Sequence, residues 1–399
     1  MPCRSSFDPS SAPARGLRAG ALAVLLAGGC VLAPEGFEGE RRRVETAGAA
    51  YEEPHGSRDL PELPARPTWR DLLGRAFLAH GDLEAAYFEW RAAVERVAGI
   101  AAWPNTNLMP SFSYMFSDAS MKSWDRTSIN VGFDGSENLE LPVKTRKAAE
   151  VALQEARAAA ERFRAAKFAL QRRVLDAWLD VALAEERVRI ASADLGLLRA
   201  LADTAVPRVR SGGPQQDLVR AQIEVREAEN RVLGLEAHAR AMRAMLNGLL
   251  AREPDAPLDL GAELPEPRPL PGDDAALLAA GVAANPELAA LARQVAGREN
   301  ALELARLRFL PNFVPFAGFT GSVSQMAGVA VMLPTTLTEI RSGIAEAHAM
   351  LAEARALARQ AAVDRAAGYV AGLLLLRNAE REAGLLAKTL VGEPATATP

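Results

Sequence analysis

The sequence predicts a mainly α-helical protein with a membrane β component. It reads as two repeats of helix, β-hairpin and long helix, the first ending in a long coiled helical hairpin. Three observations predict this. Leu108 to Asp134 alternates twice between apolar and polar residues with the period of a strand. Pro142 to Leu250 carries apolar residues in steps of four and three. The order of features between residues 68 and 250 begins again after residue 272.

The chain has 399 residues, is 49% hydrophobic and carries a formal net charge of −4. That is enough for more than one folding unit, and the charge gives no sign of a nucleic-acid partner. Cys3 and Cys30 are the only cysteines, too few for a disulfide framework or a zinc site.

Residues 1–29 read as a signal peptide. Arg4, Arg15 and Arg18 precede an apolar run from Ala19 to Gly29, which is too short to span a membrane as a helix. The run ends in Leu26-Ala27-Gly28-Gly29-Cys30, which resembles the lipobox of bacterial lipoproteins, with Ala27 where Leu is usual. The resemblance implies lipidation of Cys30. Val31 next to it resembles the pattern of lipoproteins sorted to the outer membrane. The competing reading is an ordinary cleaved signal with an incidental cysteine. No later run approaches ~18 uninterrupted apolar residues, so a membrane-spanning part must be a closed barrel.

Residues 30–67, rich in Glu, Arg and Pro without periodicity, read as an N-terminal linker. The first repeat covers 68–250. Thr68 is a cap for a helix starting at Trp69, and helix signals run to Trp103 with a break near His80-Gly81. Strands follow at about 106–117 and 126–135. In the first, Leu108, Pro110, Phe112, Tyr114 and Phe116 share a parity opposite to Ser111, Ser113 and Ser117. In the second, Thr127, Ile129, Val131 and Phe133 alternate with Ser128, Asn130, Gly132 and Asp134. Greasy outside and wet inside is the pattern of a transmembrane barrel, although a soluble sheet edge shows the same alternation.

The helical hairpin occupies 142–250. Its outgoing seam is Leu170, Val174, Ala177, Val181, Ala184, Val188, Ala191, Leu195, Leu198 and Ala202. A second stripe of Leu175, Trp178, Leu183, Ile190, Leu197 and Leu201 predicts neighbours on two sides. Arg210-Ser211-Gly212-Gly213-Pro214 breaks the helix. The returning seam runs Leu218, Ala221, Val225, Ala228, Val232, Leu235, Ala239, Met242, Leu246 and Leu249.

Residues 251–272 form a Pro-rich connector. The second repeat covers 273–390, with strands at about 312–324 and 326–333 and a long helix at 336–390. Asn285-Pro286 opens a helix as Gly81-Asp82 does, and Phe309-Leu310-Pro311-Asn312 stops it as Trp103-Pro104-Asn105 does. In the strands, Phe313, Pro315, Ala317, Phe319 and Val323 alternate with Gly318, Thr320, Ser322 and Ser324. Ala327, Val329, Val331 and Leu333 share one parity. The long helix carries Ile344, Ala347, Leu351, Ala354, Ala358 and Ala361 in heptad steps, and Tyr369 stands where Trp178 stood. That offset of 191 residues puts the second hairpin's turn past Pro399, so the expectation is a second repeat without its return helix and a short tail at 391–399.

This arrangement resembles the TolC-type outer membrane efflux channel family over about residues 68–390. The specific pieces are Trp103-Pro104-Asn105 before the strands, Leu139-Glu140-Leu141-Pro142 after them, and Arg208 to Gln222, which looks like the family's helix-turn-helix tip. The resemblance implies a homotrimer in which each copy gives four strands to a twelve-stranded barrel and its helices to a periplasmic tunnel. It also implies a passive duct, fed by a periplasmic adaptor protein and an inner-membrane pump. The tip that meets the adaptor and narrows the tunnel maps to Pro207, Arg208, Arg210, Gly212, Gly213 and Asp217. Physics agrees with the trimer, because four strands cannot close a barrel alone and open edges are not tolerated in lipid.

Asp203 and Asp217 are candidates for an acidic ring at the aperture. Against that, solvated charges at helix ends, with Asp217 favoured by the helix dipole, give the same sequence. Arg208 and Arg210 could pair with an adaptor or a neighbouring protomer; favourable charge at a helix C-terminus is the competing explanation. Trp124 reads as an interfacial anchor or an exposed loop aromatic. His55, His80, His238 and His348 show no ligand spacing, so no metal or other cofactor is expected. Catalytic residues are likewise expected to be none, and the protein not to be an enzyme. The sequence therefore predicts an outer membrane lipoprotein channel of a tripartite efflux or secretion system in a Gram-negative bacterium, extending into the periplasm. The alternatives are a truncated, non-conducting remnant or a periplasmic coiled-coil adaptor lipoprotein.

Overall fold

The computed structural model describes residues 30–116, 120–133, 139–260 and 273–390. The expected signal peptide, the tail, residues 261–272 of the connector and the strand end at 134–135 lie outside the described residues. The described chain divides into two compact units. One gathers residues 30–40, Ala93–Ala156 and Gln294–Arg355; the other gathers Arg41–Ala92, Arg157–Arg293 and residues 356–390.

The elements in order are β1 (Cys30–Val31), α1 (Phe37–Gly48), α2 (Trp69–Ala79), α3 (Gly81–Ile100), β2 (Ala102–Trp103), β3 (Leu108–Tyr114) and β4 (Thr127–Phe133). Then come α4 (Pro142–Arg210), α5 (Gln215–Leu249), α6 (Asp274–Ala283), α7 (Pro286–Leu307), β5 (Asn312–Thr320), β6 (Ser324–Met332) and α8 (Leu337–Leu390). Among the described residues, no single helix is long and apolar enough to cross a membrane.

In the first unit, β3-β4-β5-β6 form one antiparallel sheet, so the two hairpins, distant in sequence, pair through β4 and β5. A separate two-stranded sheet pairs Cys30 with Trp103 and Val31 with Ala102. The motifs at the strand ends hold one another. Trp103 Nε1 donates to Glu140 O at 3.1 Å, and Glu140 N donates to Asn105 Oδ1 at 3.2 Å. Lys144, buried in the first turn of α4, donates to Leu310 O and to Asn312 Oδ1, each at 2.7 Å. Burial pushes the Lys144 ammonium below its usual pKa, and these two oxygens satisfy it while it stays charged.

In the second unit, Leu72, Leu73, Ala76 and Leu83 from α2 and α3 pack with Leu170, Val174 and Val181 of α4 and Leu246 of α5. Further along the hairpin, Ala191 and Leu195 meet Ala228 and Val232. These are seam positions, where small and β-branched residues let the two helices approach closely. Charged rungs flank the seam: Arg199 Nη2 to Glu229 Oε1 at 2.8 Å, and Arg243 Nε to Glu185 Oε1 at 3.1 Å. Burial raises the Glu185 pKa in spite of Arg243.

Two expectations need correction. The N-terminal linker of residues 30–67 contains α1, a helix of 12 residues. Its buried stripe is Phe37, Glu40, Val44 and Gly48, continued by Tyr51, and a Glu and a Gly at stripe positions disguise the helical period. On the single chain, the second stripe of α4 packs on the core cluster at Leu175 and Trp178. Leu183, Ile190, Leu197 and Leu201 are exposed, Leu197 by 66%. Val323 is not on a strand; it sits in the β5–β6 turn, its N–H donating to Thr320 O at 2.9 Å.

Candidate functional site

The sheet register sorts the strand residues onto two faces. One face carries Leu108, Pro110, Phe112 and Tyr114 of β3, Ile129 and Val131 of β4, Phe313, Pro315, Ala317 and Phe319 of β5, and Ala327, Val329 and Val331 of β6, with Thr127 and Gln325 at its end toward the hairpin connections. Most of these apolar side chains are wholly or partly exposed, although they face no other element of the sheet. The opposite face carries Ser111, Ser113, Ser128, Asn130, Thr320 and Ser324, with Ser128 Oγ and Thr320 Oγ1 hydrogen-bonded at 2.9 Å, and away from the hairpin connections it also carries Met109, Val314, Phe316, Ala330 and Met332. Apolar area on the first face that is removed from water contributes about 25 cal/mol per Å². Strands β3 and β6 are edges with no partner among the described residues.

Beyond the strands, the two hairpin connections clasp each other. Asp125 Oδ1 accepts from Ser322 N at 2.9 Å and from Ser322 Oγ at 2.6 Å, and Gly321 N donates to Thr127 O at 2.9 Å. Those hydrogen bonds hold the Asp125 carboxyl below the usual carboxylate range. Trp124, exposed, stands 6.1 Å from Phe319 between ring centroids.

The sequence-predicted tip residues come together at the α4–α5 turn. Pro207 lies inside the last turn of α4. Gly213 N donates to Arg208 O at 2.9 Å and Gly212 N to Val209 O at 3.1 Å. This is a Schellman close, with Gly212 at φ +96°, a conformation that a side chain resists. Ser211 Oγ adds a bond to Arg208 O at 2.9 Å. Arg208 and Arg210, in the last turn of α4, favour its negative end. Asp217 lies in the first turn of α5 and is exposed. Asp203 lines a groove with Arg199 and Arg226, and Asp217 one with Gln215, Arg220 and Glu224; the two grooves share Val219, Ile223 and Glu227. Cys30 is the first described residue, with its backbone paired to Trp103. No group of three or more metal-ligating side chains occurs among the described residues.

Sequence reasoning missed two features here. Asn285 caps α7, accepting from Glu287 N at 2.8 Å and Leu288 N at 3.1 Å, and donates to Tyr369 Oη at 2.8 Å. His80 does the same for α3, its Nδ1 accepting from Asp82 N at 3.2 Å. The repeat alignment of the two helix starts was the available signal for both. The second missed feature is Phe316, which the register puts on the hydrophilic face. Its parity with Gly318 and Thr320 was readable.

No protein-family model matches the sequence, and no relative is found among curated proteins. Solved structures do match. CusC, described in terms of folding and transmembrane channel formation, aligns with a TM-score of 0.67 at 15% identity, over 84% of this chain and 86% of that one. A membrane protein from Pseudomonas aeruginosa aligns with a TM-score of 0.65 at 20% identity, over 83% and 86%. The Neisseria gonorrhoeae MtrE outer membrane channel, in its open state, aligns with a TM-score of 0.61 at 18% identity, over 84% and 84%. The chain therefore has the fold shared by these outer membrane channels.

Proposed function

We propose that this protein is the outer membrane channel of a tripartite efflux or secretion system: a homotrimer whose three sheets close one twelve-stranded barrel. The single observation that carries the reading is the four-stranded sheet, with one mainly apolar face, an opposite face that carries most of its polar side chains, and two strands unpaired on their outer side. Hydrocarbon accepts such a sheet only when its edges are paired, and neighbouring copies offer matching edges. Flow through the barrel is passive, with energy supplied by an inner-membrane pump through a periplasmic adaptor. The α4–α5 turn, from Pro207 to Asp217, is the proposed adaptor contact, with Arg208 and Arg210 as its charged groups. Asp203 and Asp217 are the proposed aperture charges. Cys30 is the proposed lipidation site; one acyl anchor needs the barrel's help for stable attachment.

A second reading, a chain that folds without conducting, draws on α8. Its outer residues Leu357, Val363, Leu374 and Leu375 are exposed, Leu375 by 72%. One experiment decides between the two: detergent extraction from outer membranes, sizing, and recording in planar bilayers. A heat-resistant trimer with a defined conductance supports the channel. A monomer that never conducts supports the second reading.

A further inference from the structure

The two edge strands of the sheet carry matching side chains. On β3, Met109 shares the face of Ser111 and Ser113, and Met115 follows just past the strand's end, six residues on. Met115 N donates to Arg126 O at 2.8 Å, so the ladder runs on through it. On β6, Met326 and Met332 are again six residues apart, on that same face. All four side chains are exposed. Between its methionines each edge offers this face only small groups, Ser111 and Ser113 on β3, Gly328 and Ala330 on β6. Closing a barrel requires a stagger between copies, fixed by the tilt of the strands. A tilt of about 35–45° across four strands about 4.8 Å apart displaces one copy against the next by about 13–19 Å, or roughly four to six residues. An unstaggered row would run from Met109 through Gly132, Phe316 and Gly328 to Met109 of the next copy. Only even steps are open, because an odd one turns every side chain of the joining strand to the other face. In one sense such a step leaves at most Ser324 and Gln325 of β6 opposite β3. In the other, the shorter even step sets Met326 against Met115 and Met332 against Met109, while the longer one carries each methionine past its counterpart and takes more of β6 off β3.

We propose that a second copy of this chain joins edge β6 to edge β3 in one register, with Met326 opposite Met115 and Met332 opposite Met109 across every seam. This rests on the channel reading above and goes beyond it, because it states which residue of the next copy each edge residue meets. Met115 turns its N–H toward β4, and Met109, an even number of residues away, does the same. Both therefore stand at non-hydrogen-bonded positions of the seam, where opposed side chains come closest. Flexible thioethers fill such a gap and give the seam an apolar contact at each end of a stretch of small side chains. The other face fits the same register: Phe112 meets Val329 and Tyr114 meets Ala327, an aromatic against a β-branched or small partner in both cases. Alternation of polarity alone admits several registers, and the spacing of the methionines selects one of them.

The test uses the full-length protein in outer membranes. Met332→Cys is combined in turn with Met109→Cys, Ser111→Cys and Ser113→Cys, the membranes are oxidised, and covalent oligomers are followed over time without reductant. The pair with Met109→Cys is expected to cross-link about 5-fold or more faster than the pair with Ser111→Cys, since directly opposed residues meet the geometry of a disulfide and diagonal ones, about 7–8 Å away, do not. The pair with Ser113→Cys is expected to give no more than the single substitutions do. Met326→Cys with Met115→Cys repeats the measurement at the other end of the seam, so the test survives if the first pairs fail to assemble. Fastest cross-linking through Ser111→Cys or Ser113→Cys, or equal rates from all three, overturns the register and leaves the channel reading intact. No cross-link from any pair, in protein shown to reside in the outer membrane, overturns the channel reading, and the proposal with it.

Discussion

An arginine at Val131 tests which face of the sheet meets lipid. Val131 lies near the middle of the sheet, paired with Pro110 on one side and Ala317 on the other, all three on the apolar face. If that face lies in hydrocarbon, a charge there costs about 2–4 kcal/mol near the bilayer midplane. At 1.4 kcal/mol per factor of ten, that is roughly a 30- to 700-fold shift in the folding equilibrium. Ser111→Arg is the matched control: one residue further along β3 and at the same depth, but on the hydrophilic face. It should cost well under ~1 kcal/mol, because its guanidinium points into water. The assay is guanidinium unfolding of each variant refolded into phospholipid vesicles, with the level of heat-resistant oligomer as a second readout. Equal destabilisation by the two arginines, or a larger effect at Ser111, would refute the assignment of faces.

Two other predictions concern the helical unit. Leu246 is fully buried among Leu170, Val174 and Leu250, so Leu246→Ala should destabilise the protein by about 2–5 kcal/mol, seen as a lower denaturation midpoint; a loss below ~0.5 kcal/mol would contradict the packing. Burial lowers the His80 pKa, with Arg173 adding to the effect and Asp82 opposing it. Its Nδ1 caps α3 only while unprotonated. A depressed folded-state pKa means that this stability is complete above the ordinary value near 6.5 and is lost as pH falls through the folded-state value. Stability should therefore decline on acidification from pH ~7.5 to ~5. His80→Asn keeps a capping acceptor without a proton to gain, and an unchanged pH slope in that variant would contradict the assignment.

What the sequence revealed and what it concealed follow from the same physics. The first strand pair was legible because Phe112 and Ser113, or Ile129 and Asn130, differ sharply in polarity at each step. The seams of α4 and α5 were legible because Leu170, Val174, Val181 and Leu246 recur at heptad spacing and are buried in the fold. The second strand pair hid more. Phe316 and Ala317 are both apolar, so the face of Phe316 had to be read from its parity with Gly318 and Thr320, and its pairing to Gly132 and Gly328 agrees. Helix α1 was illegible because Glu40 and Gly48 occupy its buried stripe. The α4–α5 turn was readable from Gly212-Gly213-Pro214, since a left-handed glycine followed by proline has few other uses. Charge at a turn does not disclose its partner, and neither Asp203 nor Asp217 names one: the grooves they line share Val219, Ile223 and Glu227.

The central claim is that edges β3 and β6 of different copies pair to close one barrel. Within a copy these strands are three spacings apart, about 14 Å, whereas a disulfide needs Cα atoms within about 7 Å. The most direct measurement combines Phe112→Cys on β3 with a scan of Ala327→Cys, Val329→Cys and Val331→Cys on β6, oxidises the membranes and separates the products without reductant. The account predicts covalent dimers and trimers from at least one pair and none from either single cysteine substitution. Monomer alone from every pair, in protein shown to reside in the outer membrane, would contradict it.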